Sequence, residues 1–275
     1  GQYDAVKWAM LIRDLGIMEA PTGSGKTGIA TAVSNSEKRS IALTKTKLLQ
    51  IDNYEQSYGF KAVYGRSNYP CDHNINVNCD ECAFIKLMKE CPSYSNCKYV
   101  IARESAKVSQ LASLNYAYWL LMRKKWPMPN LLICDEAHQL SEIVLDHAGV
   151  EITPYTKEQW DLPSFPIIFG GRRSVSVNGS VRNGSEERAI KWLSDCASHL
   201  RPIHATLQFE AQHDSDSRKR STRCERLLKK IETTINAIRN EPDDWFIRSG
   251  PKAINGEFGF IARPLTARHH FGEYF

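Results

Sequence analysis

The sequence predicts an α/β fold with a parallel sheet at its centre. Three observations carry that prediction. A glycine-rich loop, Ala20-Pro21-Thr22-Gly23-Ser24-Gly25-Lys26-Thr27, runs into a helical pattern. More than a hundred residues later a short apolar run, Leu131-Leu132-Ile133-Cys134, ends in Asp135-Glu136-Ala137-His138. Between the two lie five cysteines, at 71, 79, 82, 91 and 97. A strand entering a phosphate-type loop and helix, followed by a second buried-type strand ending in carboxylates, is the pattern of helices alternating with parallel strands.

Taken in order, Gly1-Gln2 opens a helix predicted over Tyr3 to Leu15. Gly16-Ile17-Met18-Glu19 reads as a short strand feeding the loop. Gly23 and Gly25 let the loop turn its backbone N–H groups inward, toward phosphate oxygens. The helix from Thr27 to Ser34 presents its positive end to the same anion. Lys26 supplies a point charge for the β/γ-phosphates, and the Thr27 hydroxyl can reach Mg²⁺. Thr22 and Ser24 belong to the same cradle. The strict pattern has Gly where this chain has Ala20. Ser40 to Thr46 reads as the next strand and its exit turn. Leu131 to Ile133 suits a buried parallel strand. Asp135 then falls at the strand's carboxyl end, where open α/β sheets place ligands. There it can hold Mg²⁺ through water, and Glu136 can accept the proton of an attacking water.

The five clustered cysteines are spaced C-x7-C-x2-C-x8-C-x5-C. No signal peptide precedes them, and a phosphate-loop ATPase belongs inside the cell, so a disulfide framework is not expected. A metal is. Zinc and an iron–sulfur cluster both accept four thiolates, and spacing alone does not choose between them. Cys134, Cys196 and Cys224 read as small buried hydrophobes.

Beyond His138 the texture changes. Thr153-Pro154, Leu162-Pro163 and Phe165-Pro166 break regular structure, and Arg172 to Ser185 reads as a mobile polar loop. A helix starts at Ser185, with Ile190, Leu193 and Ala197 on one face, and is expected to stop near Leu200, ahead of Pro202. A second runs from about Ser221 to Asn240, with Leu227, Leu228, Ile231, Ile235 and Ile238 as its apolar stripe. Arg218, Lys219, Arg220, Arg223, Arg226, Lys229 and Lys230 give it a basic face, which suits either solvent or a nucleic-acid backbone. Tyr116, Tyr118, Trp119 and Trp126 fit core packing better than base stacking. The apolar pattern returns from Gly256 to Phe275.

Composition bounds the rest. With 275 residues, 42% hydrophobic and 24% charged, the chain is ordinary for a globular protein with a sizeable core. No apolar run approaches 18 residues, so no membrane span is predicted. The net charge of +5 permits a polyanionic partner.

The loop and the Asp-Glu-Ala-His segment together resemble superfamily-two helicases of the DEAH type. Gly65-Arg66-Ser67-Asn68-Tyr69-Pro70-Cys71 resembles the entry to the iron–sulfur domain of the XPD/DinG helicases, and Cys97-Lys98-Tyr99-Val100 its exit, followed by a helix around Ala102 to Leu111. Leu114-Asn115-Tyr116-Ala117-Tyr118-Trp119-Leu120 resembles the element that re-enters the ATPase core.

The resemblance implies a RecA-like motor domain at 1–65 and 106–140, an iron–sulfur domain at 66–105, and a mostly helical arch-like insertion at 141–250. It implies a return to the motor domain at 251–275, ahead of a second motor domain that this chain does not contain. Arginines from that second domain would complete the ATP site and are worth about 10³–10⁵ in rate in related engines, so the isolated chain is expected to hydrolyse ATP poorly. The resemblance also implies a 5′ to 3′ ATP-dependent DNA helicase with ATP, Mg²⁺ and a [4Fe–4S] cluster. Its partner would be single-stranded or forked DNA, and the protein is expected to be monomeric, off the membrane, in the cytoplasm or nucleus. Gln2 falls about where the family reads the adenine edge, a position that equally suits a polar helix start. Thr44, Lys45 and Thr46 fall where it touches the DNA backbone, and equally suit a solvated strand end. Cys71 and Cys97 would be cluster ligands, joined by Cys82 and Cys91. Cys82 is chosen over Cys79 because it lies nearer the helix expected at Ala83–Lys89, and an XPD-like Cys79/Cys82 pair is the alternative. Two other classes stand beside this reading: a nucleotide- and single-strand-binding module without motor work, and a zinc-containing P-loop ATPase unrelated to DNA.

Overall fold

Ser40–Thr44 (β1) is buried along its whole length because it has a parallel neighbour on each side. Leu111–Asn115 (β3) pairs on one side and Leu131–Cys134 (β4) on the other, and Lys61–Val63 (β2) adds to the far side of β3. The resulting four-stranded sheet has the order β2-β3-β1-β4 and is parallel throughout. The structure is a computed structural model that describes residues 1–84, 88–168, 184–211, 214–249, 259–267 and 275. The chain divides between Leu140 and Ser141 into two units.

In the first unit, Gln2–Leu11 (α1) packs on Lys26–Asn35 (α2), and α2 packs on β1. Gln110 closes the far end of α2 by donating from Nε2 to the carbonyls of Asn35 and Glu37, at 3.2 and 2.8 Å. After β1 the chain turns through Lys47–Leu49 (α3) directly into a π-helical stretch, Gln50–Gln56. Lys98–Val108 (α4) covers β2 and β3, and Tyr116–Met122 (α5) starts where β3 ends, capped by the Asn115 side chain. Parallel pairing puts Thr44, Asn115 and Cys134 at one edge, the carboxyl end of the sheet.

Several expectations need correction here. Helix α1 stops at Leu11, not Leu15, and Gly16–Glu19 forms no strand. The four residues look strand-like in composition, but pairing needs a partner edge in register, which composition cannot supply. Among the described residues β4 therefore stays at the sheet edge, and its four residues are half-buried rather than buried. Helix α4 begins at Lys98, and Leu111 already belongs to β3. Of the helix expected at Ala83–Lys89, residues 85–87 lie outside the described residues, and Met88–Glu90 forms a single 3₁₀ turn.

The second unit begins with most of Leu140–Ala148 (α6), then Val150–Ile152 (β5) and Pro154–Gln159 (α7). Two long helices, Ser185–Glu210 (α8) and Ser215–Asn240 (α9), form a hairpin. Trp245–Ser249 (β6) and Phe260–Pro264 (β7) join β5 in an antiparallel sheet of order β5-β7-β6. The core of this unit gathers Trp192, Leu193, Cys196, Leu200, Cys224, Ile231 and Ile238 from the hairpin with Ile152, Trp245 and Phe260 from the sheet. Trp192 lies tilted on Phe260 at 4.6 Å and donates from Nε1 to the Ser164 carbonyl at 2.9 Å.

Helix α8 does not stop at Leu200. It runs through Pro202 to Glu210. An internal proline loses one backbone bond and crowds the carbonyl four residues back, at a cost of about 3 kcal/mol. Burial of Leu200 and Leu207 against α9 outweighs it. Helix α9 starts at Ser215, six residues before the expected Ser221, because Asp214 caps it by accepting the Ser217 N–H at 2.6 Å. Residues 260–264, expected to rejoin the first sheet, pair with β5 and β6 instead. The loop expected at 172–185 lies almost wholly outside the described residues.

Candidate nucleotide site and cysteine insert

The loop before α2 turns on two glycines in the left-handed region, Gly23 at φ 81° and Gly25 at φ 84°. A side chain at either would be strained. Gly25 is the N-cap, so α2 begins at Lys26 and its unpaired N–H groups open toward the loop. Lys26 folds back into its own loop, donating from Nζ to Ala20 at 2.8 Å and Pro21 at 3.2 Å. The Gln2 amide donates to the Ser24 carbonyl at 2.8 Å, which sets this expected site residue on the loop itself. The Ser24 hydroxyl is buried without a partner. Left-handed glycines, a helix start, a cation and an orphaned hydroxyl make a donor set that fits phosphate oxygens. Thr22 and Thr27 lie in the same segment, Thr22 exposed and Thr27 half-buried.

Across the sheet's carboxyl edge, Asp135 continues the ladder past β4 by donating its N–H to the Leu43 carbonyl at 2.9 Å. Burial raises the Asp135 carboxyl above its usual value, and the neighbouring Glu136 adds to the rise. A hydrogen bond from Tyr54 and the charge of Lys26 act in the other direction. Glu136 is held in the left-handed region at φ 55°, rare for a residue with a side chain, and its exposed carboxylate meets His138 Nδ1 at 3.3 Å. Strain of that kind clusters at functional positions.

A tyrosine that the sequence does not assign to this site meets Asp135: Tyr116, at the start of α5, donates its hydroxyl to the Asp135 backbone carbonyl at 2.8 Å. Tyr54, in the π-helix, packs its ring edge-on against Phe60 at 5.1 Å. Burial pushes both phenols above their ordinary value, and the Asp135 charge adds to the rise at Tyr54. The only available signal was a tyrosine where an apolar residue would serve, which does not reveal the hydroxyl's partner.

In the cysteine insert, Cys71, Cys79 and Cys82 are buried, and Cys91 and Cys97 are half-buried. Cys71 and Cys79 flank the antiparallel bridge between Pro70 and Asn78, and Cys82, Cys91 and Cys97 each close a short turn. Cys71 donates its N–H to Val77, Cys79 to Tyr69, Cys82 to Cys79, Cys91 to Met88 and Cys97 to Tyr94. Burial raises the Cys82 thiol, and Cys71 and Cys91 add to the rise. Burial pushes the Cys79 thiol up to about 12, with Cys97 adding to the rise and Arg66 opposing it. Among the described residues, no three His, Cys, Asp or Glu side chains stand at metal-ligand spacing. The chemistry of the group is nonetheless a thiol set without a disulfide, in one insert, able to supply four thiolates. Cys79, outside the expected ligand set, is the most buried of the five. The insert rests on Tyr99, whose ring takes the Arg66 and Arg103 guanidiniums at 5.0 and 5.5 Å and whose hydroxyl bonds Tyr118 at 3.0 Å.

The candidate DNA contacts are less uniform. Thr44 is fully buried and donates to the Thr46 carbonyl at 3.0 Å, while the Thr46 hydroxyl accepts from Leu49 N–H. Both hydroxyls are thus engaged within their own turn, and Lys45 is exposed. On α9, Arg218 binds the Ala211 carbonyl, Lys219 approaches Asp216 and Lys230 binds the Asp146 carbonyl. Arg220, Arg223, Arg226 and Lys229 are exposed. Tyr116, Tyr118, Trp119 and Trp126 are buried, as core packing requires, and so are Cys196 and Cys224. Cys134 is half-buried, with burial holding its thiol up to about 11. No described helix is long and apolar enough to cross a membrane.

No protein-family model matches the chain, and a search of curated proteins finds no match.

Proposed function

We propose that this chain is an ATP-binding motor domain of an XPD/DinG-type DNA helicase, carrying an iron–sulfur insert and an arch-like insertion. The observation that carries the reading is a loop turned by two left-handed glycines with Lys26 opening α2, together with Asp135 at the carboxyl edge of a parallel sheet and the cysteine insert between them in sequence.

In this reading Lys26 leaves the Ala20 and Pro21 carbonyls to offset phosphate charge. Thr27 and Asp135 hold Mg²⁺, and Glu136 accepts the proton of the attacking water. Gln2, Thr22, Gly23, Ser24 and Gly25 line the nucleotide. Cys71, Cys82, Cys91 and Cys97 hold a [4Fe–4S] cluster, which clips together an insert too short to build its own core. The exposed cations of α9 contact the backbone of single-stranded DNA. ATP hydrolysis would drive 5′ to 3′ movement along that strand.

The test combines three measurements on the purified chain. Mg-ATP binding should be lost in Lys26→Ala and kept in Glu136→Gln. The anaerobic protein should be brown. ATP turnover, slow and below about 1 s⁻¹ in this chain by itself, should still rise with single-stranded DNA. A colourless protein holding stoichiometric zinc identifies a zinc-containing P-loop ATPase. Nucleotide and DNA binding without DNA-stimulated turnover identifies a binding module.

A further inference from the structure

Tyr116 is the first residue of α5, directly after Asn115 closes β3 at the carboxyl edge of the parallel sheet. The Asn115 side chain accepts the Tyr118 N–H at 2.7 Å, which fixes the backbone from which Tyr116 projects. Tyr116 is buried, and a phenylalanine would fill its space. What tyrosine adds is the hydroxyl. A buried hydroxyl without a partner is costly, and this one donates to the Asp135 carbonyl at 2.8 Å, 19 positions along the chain.

That carbonyl belongs to the peptide group joining Asp135 to Glu136. The N–H of the same group donates to Asp135 Oδ1 at 3.1 Å. The peptide is thus held at both ends, at one of them by a side chain from another element. Glu136 follows it in the left-handed region, at φ 55° and ψ 45°. A residue with a Cβ is disfavoured there and stays only where its surroundings hold it. Other bonds of Glu136 lie within its own turn. Its carbonyl accepts the Gln139 N–H at 3.0 Å, and its carboxylate meets His138 Nδ1 at 3.3 Å. The Tyr116 hydroxyl ties the peptide ahead of that turn to the core. Because φ of Glu136 is measured from this peptide, a peptide free to rotate would release the left-handed turn.

We propose that Tyr116 is a positioning residue of the nucleotide site, its hydroxyl fixing the Asp135–Glu136 peptide so that the Glu136 carboxylate stays aimed at the attacking water. This rests on the reading of the preceding subsection, in which Glu136 accepts that water's proton. A positioned general base contributes about 10²–10⁴ in rate. Tyr116 acts on it only through the backbone and through one hydrogen bond, so a loss of about tenfold is expected.

The experiment uses the whole chain, in excess over Mg-ATP, and follows a single turnover beside the affinity for a fluorescent ATP analogue. Tyr116→Phe keeps the ring and should keep the Mg-ATP affinity within about twofold, while the hydrolysis step slows about tenfold, the signature of a contact that matters only in the transition state. Amide exchange at Glu136, measured without nucleotide, should quicken about tenfold in the same variant, the worth of one hydrogen bond. Tyr118→Phe is the control. It removes a hydroxyl two residues on in the same helix, bonded to Tyr99 at 3.0 Å, and should leave both the rate and the Glu136 amide in place. A Tyr116→Phe rate within about twofold of the parent, or unchanged exchange at Glu136, overturns the assignment. So does an equal effect of Tyr118→Phe, which marks both tyrosines as packing of α5. If the unaltered chain binds no Mg-ATP, the nucleotide-site reading fails instead, and amide exchange still reads whether Tyr116 holds the peptide.

Discussion

The ammonium of Lys26 is bonded back to the carbonyl of Ala20, 2.8 Å away, across the loop that these two residues bracket. In the proposed site a phosphate would have to draw the cation out of its own loop, an exchange favoured because a charge-assisted bond to phosphate is stronger than one to a neutral carbonyl.

Lys26→Ala should therefore abolish nucleotide binding while leaving the fold intact, since the lost bonds join Lys26 only to its own loop. A charged hydrogen bond is worth about 1.5–3 kcal/mol, so affinity should fall by at least about tenfold. Fluorescence titration and a melting curve on the same sample check both halves. Wild-type affinity in the variant would mean the loop binds no phosphate.

Anaerobically purified protein should carry about four irons per chain, the content of one cubane cluster. Cys71→Ser and Cys97→Ser should bleach it. Cys79→Ser is the informative variant, because Cys79 is the most buried of the five thiols yet stands outside the proposed ligand set. It should keep its iron, and Cys91→Ser should lose it. The reverse outcome moves the fourth ligand to Cys79. Iron analysis with an absorbance spectrum decides.

Arg220→Glu, Arg223→Glu and Arg226→Glu together should weaken single-stranded DNA binding without regard to sequence. These side chains are exposed, whereas Arg218 and Lys230 are engaged with carbonyls of their own unit. The slope of log affinity against log salt should become shallower, by roughly 0.7 per contact removed. An unchanged slope would identify a solvated face.

Asp214 should make the second unit pH-sensitive in acid. Its carboxyl lies below the usual value because it accepts the Ser217 N–H at the start of α9. A carboxyl lowered on folding stabilises above its unfolded pKa, near 3.9, and that stabilisation is lost as pH falls through the folded value. Asp214→Ala should melt below wild type at pH 7. The two curves should converge as pH drops below about 4. A gap that persists in acid would show that the cap acts without its charge.

The loop at 20–27 was legible because its chemistry is local. Two glycines, a lysine and a helix start lie within a few residues and need no partner from elsewhere. The Leu131–Cys134 strand was legible for the same reason, as was the apolar stripe of α9. The reading failed where a distant partner decided. Gly16–Glu19 looks like a strand and pairs with nothing among the described residues. Helix α8 passes its proline because α9 buries Leu200 and Leu207. Thr44 and Thr46 look like phosphate ligands in sequence, but their hydroxyls are engaged in their own turn.

By itself the sequence determined the parallel α/β class, the phosphate-type loop and the acidic pair, because each depends on side chains at fixed short spacings. It also determined that five thiols share one short insert. Only tertiary structure decided that β1 is central and β4 is at an edge, that Phe260–Pro264 belongs to a second sheet, and that the Tyr116 hydroxyl meets Asp135. The reason is physical. Strand order and core contacts join residues tens of positions apart, so they depend on which buried surfaces satisfy one another and on no local pattern.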